Sequence, residues 1–333
     1  MFNKREHLSK LKDLETISNQ IGAGQDFVQG GGGNTSIKLN EELMAVKASG
    51  FLLSDLSTDQ AYAIVHHQDL VKFLAENSAA SDKDYNEAAS AATLTEARAS
   101  METGLHAVLG QVVIHCHSAY ANVINCSTKA QDLVRELFPE ACFIAYRAPG
   151  YQLSHLISEQ AKGAKVLFLQ NHGLVISADD ATEALELHAK VNRQIKDHFA
   201  LKDFPEAKLQ YEGGALRSES EFLSKQLRKH ADDLSYEFFS RVLFPDQRVY
   251  LQNNIAFSNK LENKINIDLK SYTVRYKTNE REALAIEETL VALFYIMQQI
   301  QANDLELNYI SADDSQHIDG MDSEKHRKKV IGQ

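Results

Sequence analysis

The chain has 333 residues, 44% of them hydrophobic and 24% charged, with a formal net charge of −11. That length supports one large domain or two modest ones, each with its own core. The acidic balance argues against a nucleic-acid binder, because no basic surplus exists to neutralise phosphates. It leaves a small anionic substrate open, since a local site can be positive within an acidic protein. The three cysteines, Cys116, Cys126 and Cys142, form no C-x-x-C pair, so neither a disulfide framework nor a thiolate zinc knuckle is expected, and the setting reads as a reduced cytoplasm. The N-terminus, MFNKREHLSKLKDLE, is charged where a signal peptide needs an apolar core. No run of about 18 apolar residues predicts a membrane span.

Leu8, Leu11, Leu14, Ile17 and Ile21 recur at helical spacing, which predicts an amphipathic opening helix stopped by Gly22. A run of glycines from Gly30 to Gly33 precedes Asn34, Thr35 and Ser36. The stretch SIKLNEELMAVKASG reads as two strands joined by a polar turn at 40–42, and a helix is expected near 58–65. Residues 78–92, polar and small, read as a loop. A helix then begins near Glu102 and leads into a strand, QVVIHCHS. KVLFLQ is a short apolar strand that stops at Asn171-His172-Gly173. Residues 181–199 carry a helical stripe that includes Ala184, His188, Val191 and Ile195. The pattern breaks near 200–215, a plausible boundary. Beyond it a helix is expected over 218–230, strands at RVYLQ and INIDLKSYTVRYK, and a long helix from 280 to about 301. The last thirty or so residues, polar and charged, are expected to pack poorly.

The strongest chemical signal is His115-x-His117 with His172 at a strand end. Side chains two apart on a strand share a face, about 6.5 Å apart at roughly 3.3 Å per residue, so both imidazoles can reach one ion. Zinc favours three protein ligands and one open position in catalytic sites, and His172 completes such a set. Each histidine alone reads as a core or surface residue; the spacing of the three is what suggests a metal. Cys116, between the first two, points to the other face as core. Glu102 is either an acid/base carboxylate beside the metal or an acidic residue favoured at a helix N-terminus. GGGGNTS, with a second small turn at Ala48-Ser49-Gly50, is either an anion-binding loop or a flexible one. The stretch from Gly22 to Phe27 lacks the third glycine of a dinucleotide fingerprint and follows a helix rather than a strand.

Taken in order, GGGGNTSIK, VKASGFLLSDL, ASMETGLHA, VVIHCHS, YRAPG and LFLQNHGLVIS resemble the class II aldolase/adducin family over roughly residues 5–200. The wording is most similar to the aldolase half of bifunctional rhamnulose-phosphate aldolase/dehydrogenase proteins. SYTVRYKTNEREALAIEETLVALFYIMQ resembles the region that follows that half, and a dehydrogenase half is expected to be absent. The resemblance implies an α/β fold, a three-layer αβα sandwich with a central, mostly antiparallel sheet over residues 1–205. A smaller α+β C-terminal region of unassigned role would occupy 206–333.

The resemblance further implies one zinc per chain on His115, His117 and His172, with Glu102 as acid/base. Gly33, Asn34, Thr35, Ser49, Gly50 and Ser100 would line the phosphate-binding loops. Tyr146 would protonate the leaving aldehyde across a subunit interface of a homotetramer. The expected reaction is cleavage of a ketose, on a 1-phosphate or similar substrate, in the cytoplasm and without nucleic-acid or membrane partners. A sugar-phosphate 4-epimerase, a dehydratase or a decarboxylase on the same zinc site is the alternative, and a non-catalytic adducin-like assembly protein is the alternative of another class. Retention of Glu102 and all three histidines argues against the last. Met101 stands where the family's aldolases often carry a second serine, which leaves the phosphate requirement open. His106 reads as support or packing, and His66 and His67 as surface residues.

Overall fold

A computed structural model of the chain describes residues 2–161 and 163–320. Seven strands form the first sheet: β1 (Asn34–Lys38), β2 (Leu43–Lys47), β3 (Tyr62–His66), β4 (Val112–Cys116), β5 (Cys142–Ile144), β6 (Val166–Leu169) and β7 (Gly173–Ala178). Their order is β3-β2-β1-β4-β7-β6-β5, and every pairing is antiparallel except β5 with β6. Alternation along the strands buries both faces. Ile37, Ala45, Ile114, Cys116 and Ile176 join the helices Leu8–Gly22, Ala119–Asn125 and Ala181–His198 in one apolar cluster. Val113, Leu167 and Val175 point the other way, against Leu105, Leu153 and Ile157 of the helices Thr103–Val108 and Tyr151–Gln160.

Four local expectations are corrected. Residues 62–66 form β3 and not a helix: Ala61 takes a left-handed turn (φ +67°), and β-branched Ile64 and Val65 then fill opposite faces of a strand paired to β2. The helix comes later, at His67–Glu76, and His67 is buried, 2% exposed, rather than on the surface. Residues 82–92 are a helix instead of a loop. Ser81 and Asp84 cap it reciprocally, and only Tyr85 and Ala92 are buried on it, so the apolar stripe is too thin to read. The first four residues of RVYLQ lie in the helix Pro245–Leu251, started by Pro245 in the first turn, where a fixed φ favours a helix over a strand.

The C-terminal region adds β8 (Leu209–Glu212), β9 (Ala215–Ser218), β10 (Ile255–Ala256), β11 (Ile265–Asp268) and β12 (Thr273–Tyr276), in the order β10-β11-β12-β9-β8. The helix Glu280–Ala302 is apolar and long enough to cross a membrane, but 83% of its apolar window is buried within the chain. It is the core helix of this region, because its Leu290 and Phe294 share one cluster with Ile114 and Tyr120 of the first region. The apolar core is therefore continuous across residue 205. Residues 304–320 also pack, against expectation: the Asn308 N–H donates to Cys126 O at 2.7 Å, and Ile318 is 2% exposed in the helix Ala312–Gly320. The backbone bonds outweigh the polar composition there. The rest of the tail, 321–333, lies outside the described residues.

Candidate metal centre

His115 sits near the end of β4, in register with Asn34 of β1 on one side and Val175 of β7 on the other. His117 lies just past the strand, which ends at Cys116. His172 fills the turn between β6 and β7. Asn171 takes φ +53° there, and its side-chain amide donates to Leu243 O at 2.9 Å and Asn308 O at 2.8 Å. Gly173 is required at that turn, because a Cβ would stand 2.3 Å from Cys116 O. This close approach of β7 to its antiparallel neighbour β4 brings the third imidazole beside the first two.

The ligand atoms of His115, His117 and His172 lie within 4.8 Å of one another, close enough to share one ion. Glu102 joins them, with Oε2 3.5 Å from His115 Nε2 and Oε1 3.4 Å from His172 Nε2. All four residues are buried. Four of their polar atoms, His115 Nε2, His117 Nε2, His172 Nδ1 and Glu102 Oε1, have no hydrogen-bond partner. Orphaned buried polar atoms are rare and costly, and a cluster of them from a neutral-nitrogen and carboxylate donor set fits a divalent cation. Burial lowers His115 and His172, the latter to about 3, against the pull of Glu102; both rings are neutral with a lone pair to give. Burial pushes Glu102 up, but the positive charge its histidine neighbours carry at low pH and the Asn34 amide outweigh it and hold the carboxyl down to about 2.

Behind Glu102 runs a buried relay. Asn34 Nδ2 donates to Glu102 Oε2 at 2.7 Å, and Asn34 Oδ1 accepts from His106 Nε2. His106 Nδ1 then accepts from Ser36 Oγ at 2.7 Å. An amide oxygen cannot donate, so this order of bonds fixes the His106 tautomer. Burial lowers His106 to about 3, so the ring stays neutral.

The cleft over these residues is lined by Gly33, Asn34, Ser49, Gly50 and Ser100, together with Glu102, His117 and His172. Two of the sequence-derived site residues lie elsewhere. Thr35 points to the opposite sheet face, where its hydroxyl meets Ser18 Oγ at 2.6 Å; as the strand neighbour of Asn34 it must. Tyr146 does not line the cleft. Its hydroxyl is buried without a partner, and burial, with Asp314 nearby, pushes its pKa up.

Further lining residues, Lys47, Pro149, Pro245 and Asp246 among them, do not stand out as site residues in the sequence. Lys47, 4% exposed, brings a cation to the cleft; it precedes Ala48-Ser49-Gly50 and could have been read with that turn. Pro245 and Asp246 come from the C-terminal region, and no local motif marks them. The same region also grips the glycine run: Gly30 N–H donates to Glu288 Oε2 at 2.6 Å.

Residues 14–197, more than half of the chain, match the family model described as Class II Aldolase and Adducin N-terminal domain. The chain belongs to this family. A curated relative, the uncharacterized oxidoreductase YuxG of Bacillus subtilis (strain 168), is 29% identical over 181 residues, covering 50% of this chain and 26% of YuxG. The chain thus matches only about a quarter of that relative's length. Among solved structures, the N-terminal class II aldolase domain of a conserved protein from Thermoplasma acidophilum superposes with a TM-score of 0.52 at 24% identity, over 56% of this chain and 92% of that one. YgbL of Klebsiella pneumoniae, titled a putative aldolase/epimerase/decarboxylase, gives 0.46 at 15% identity, over 61% and 93%. The Thermoplasma match shows a class II aldolase fold.

Proposed function

We propose that this class II aldolase family member is a divalent-metal-dependent aldolase that cleaves a ketose, with a ketose 1-phosphate as the substrate class and zinc as the metal. The observation that carries the reading is the set of four buried, orphaned donor atoms on His115, His117, His172 and Glu102. The three imidazoles would hold the ion, which supplies Lewis-acid stabilisation of the charge that builds when a carbon–carbon bond beside a carbonyl breaks. Neutral nitrogen ligands leave the ion its full charge, which suits that task better than thiolates.

Glu102 is ionised at neutral pH and lies against two of the imidazoles, placed to take a proton from the reacting carbon or return one to it. Asn34 holds its Oε2, leaving Oε1 as the working oxygen. Lys47, Ser49, Gly50 and Ser100 supply a cation and donors for an anionic end of the substrate. Tyr146 has no part in this scheme.

Metal content and product analysis test the reading together. About one zinc per chain, lost in His115→Ala, with two carbon fragments released from a ketose 1-phosphate, is the expected result. A same-mass isomer would instead assign an epimerase to the site. No metal after zinc is supplied would sink the enzyme reading and favour an adducin-like assembly role.

A further inference from the structure

His115 and His117 both leave Nε2 buried and without a hydrogen-bond partner. Each ring is held by its other nitrogen, but by different means. His115 Nδ1 donates to the backbone oxygen of Leu174 at 3.2 Å. His117 Nδ1 donates to the carboxylate Oδ2 of Asp246 at 2.5 Å. Asp246 is 1% exposed and sits in the helix Pro245–Leu251, well past residue 197 where the family match ends. The pair is framed by Gly32: a Cβ there would stand 2.6 Å from His117 Nδ1 and 2.8 Å from Asp246 Oδ2. Gly32 therefore leaves room for this contact between the two regions.

Resting on the metal reading above, we propose that Asp246 is a positioning residue for the metal centre, supplied by the C-terminal region. Its carboxylate fixes His117 as the Nδ1–H tautomer, which puts the lone pair on Nε2, and stops the ring from turning. A carboxylate acceptor also draws the Nδ1 proton more strongly than a carbonyl does, so Nε2 becomes a better donor to a cation. His117 is then the strong ligand of the set, and the centre is complete only when the C-terminal region is docked. Residues 14–197 alone would present His117 without its anchor.

The test uses the full chain and needs no substrate. Zinc affinity is measured by competition with a chromophoric chelator, and the visible spectrum is recorded with cobalt(II) in place of zinc. Asp246→Ala is expected to weaken zinc binding about 10- to 100-fold and to alter the cobalt spectrum. Asp246→Asn keeps an acceptor oxygen without the charge and should fall between. Gly32→Ala pushes the pair apart from the other side and should weaken zinc in the same direction, which keeps the test open if Asp246→Ala does not fold. Unaltered affinity and spectrum in the two Asp246 variants would overturn the positioning role alone. Failure of the unaltered protein to bind zinc or cobalt would overturn the metal reading, and this inference with it.

Discussion

Asn34 and His115 face each other across the β1–β4 ladder, and both reach Glu102: the Asn34 amide donates to Oε2 at 2.7 Å and His115 Nε2 stands 3.5 Å from the same oxygen. One register therefore places a carboxylate between a hydrogen-bond donor that steadies it and an imidazole that it can share a metal with. A slip of one residue would send Asn34 or His115 to the opposite face, where Thr35 and Ile114 now lie.

Glu102→Gln keeps the shape and the bond from Asn34 but removes the basic oxygen. It should lower kcat about 10²- to 10⁴-fold, the usual range for a lost acid/base group, while the protein retains its metal. Steady-state kinetics with elemental analysis on the same sample checks both. Full activity would remove Glu102 from the mechanism.

His106→Ala leaves Asn34 Oδ1 and Ser36 Oγ buried without their partner. Each such group costs about 1–3 kcal/mol, so the melting temperature should fall by several degrees. Asn34 also loses the bond that aims it at Glu102, so kcat should drop while metal content holds. A variant with unchanged stability would show that water replaces the ring.

Lys47→Met retains length and loses charge. If the substrate's anionic end binds beside Ser49 and Gly50, KM for a phosphorylated ketose should rise roughly ten- to a hundredfold, matching about 1.5–3 kcal/mol for a bond to a charged group. KM for the unphosphorylated sugar should barely move. Equal effects on both would place the anion elsewhere.

Glu287, in the helix Glu280–Ala302, gives a pH prediction away from the metal. Burial raises its carboxyl to about 7, against the bonds from Ser218 Oγ at 2.6 Å and the Tyr276 hydroxyl. A carboxyl raised on folding is held protonated by the native state, so its stabilising effect is full below its ordinary pKa near 4.5 and is lost as pH rises through about 7. Glu287→Gln cannot ionise. Relative to the unaltered chain it should therefore gain stability at pH 8 compared with pH 5, as read from denaturant midpoints at the two pH values. A pH-independent difference would show that Glu287 keeps one protonation state throughout.

The three clustered histidines were legible because their signal is local. H-x-H on an apolar strand and N-H-G at a strand end each encode side-chain direction within a few residues. His106 was noticed four residues past Glu102, but its role depends on Asn34 and Ser36, which reach it only when β1 pairs with β4. The helix at 82–92 was hidden by its composition, since a helix with two buried residues shows almost no stripe, although its Ser81/Asp84 capping box was there to read. Tyr146 follows from the family resemblance alone, and its hydroxyl lies buried outside the cleft.

The sequence by itself determined β1, β2, β4 and β6, the three clustered histidines and Glu102, because periodicity and short motifs act over a few residues; β7 emerged only in the fold. Tertiary structure alone decided that Asp246, 129 residues beyond His117, closes on its ring, and that Glu288 holds Gly30 from 258 residues away. Neither contact leaves a local pattern. Each arises because the C-terminal helices share one apolar core with the first sheet, and the burial of that core sets which polar groups meet at its edge.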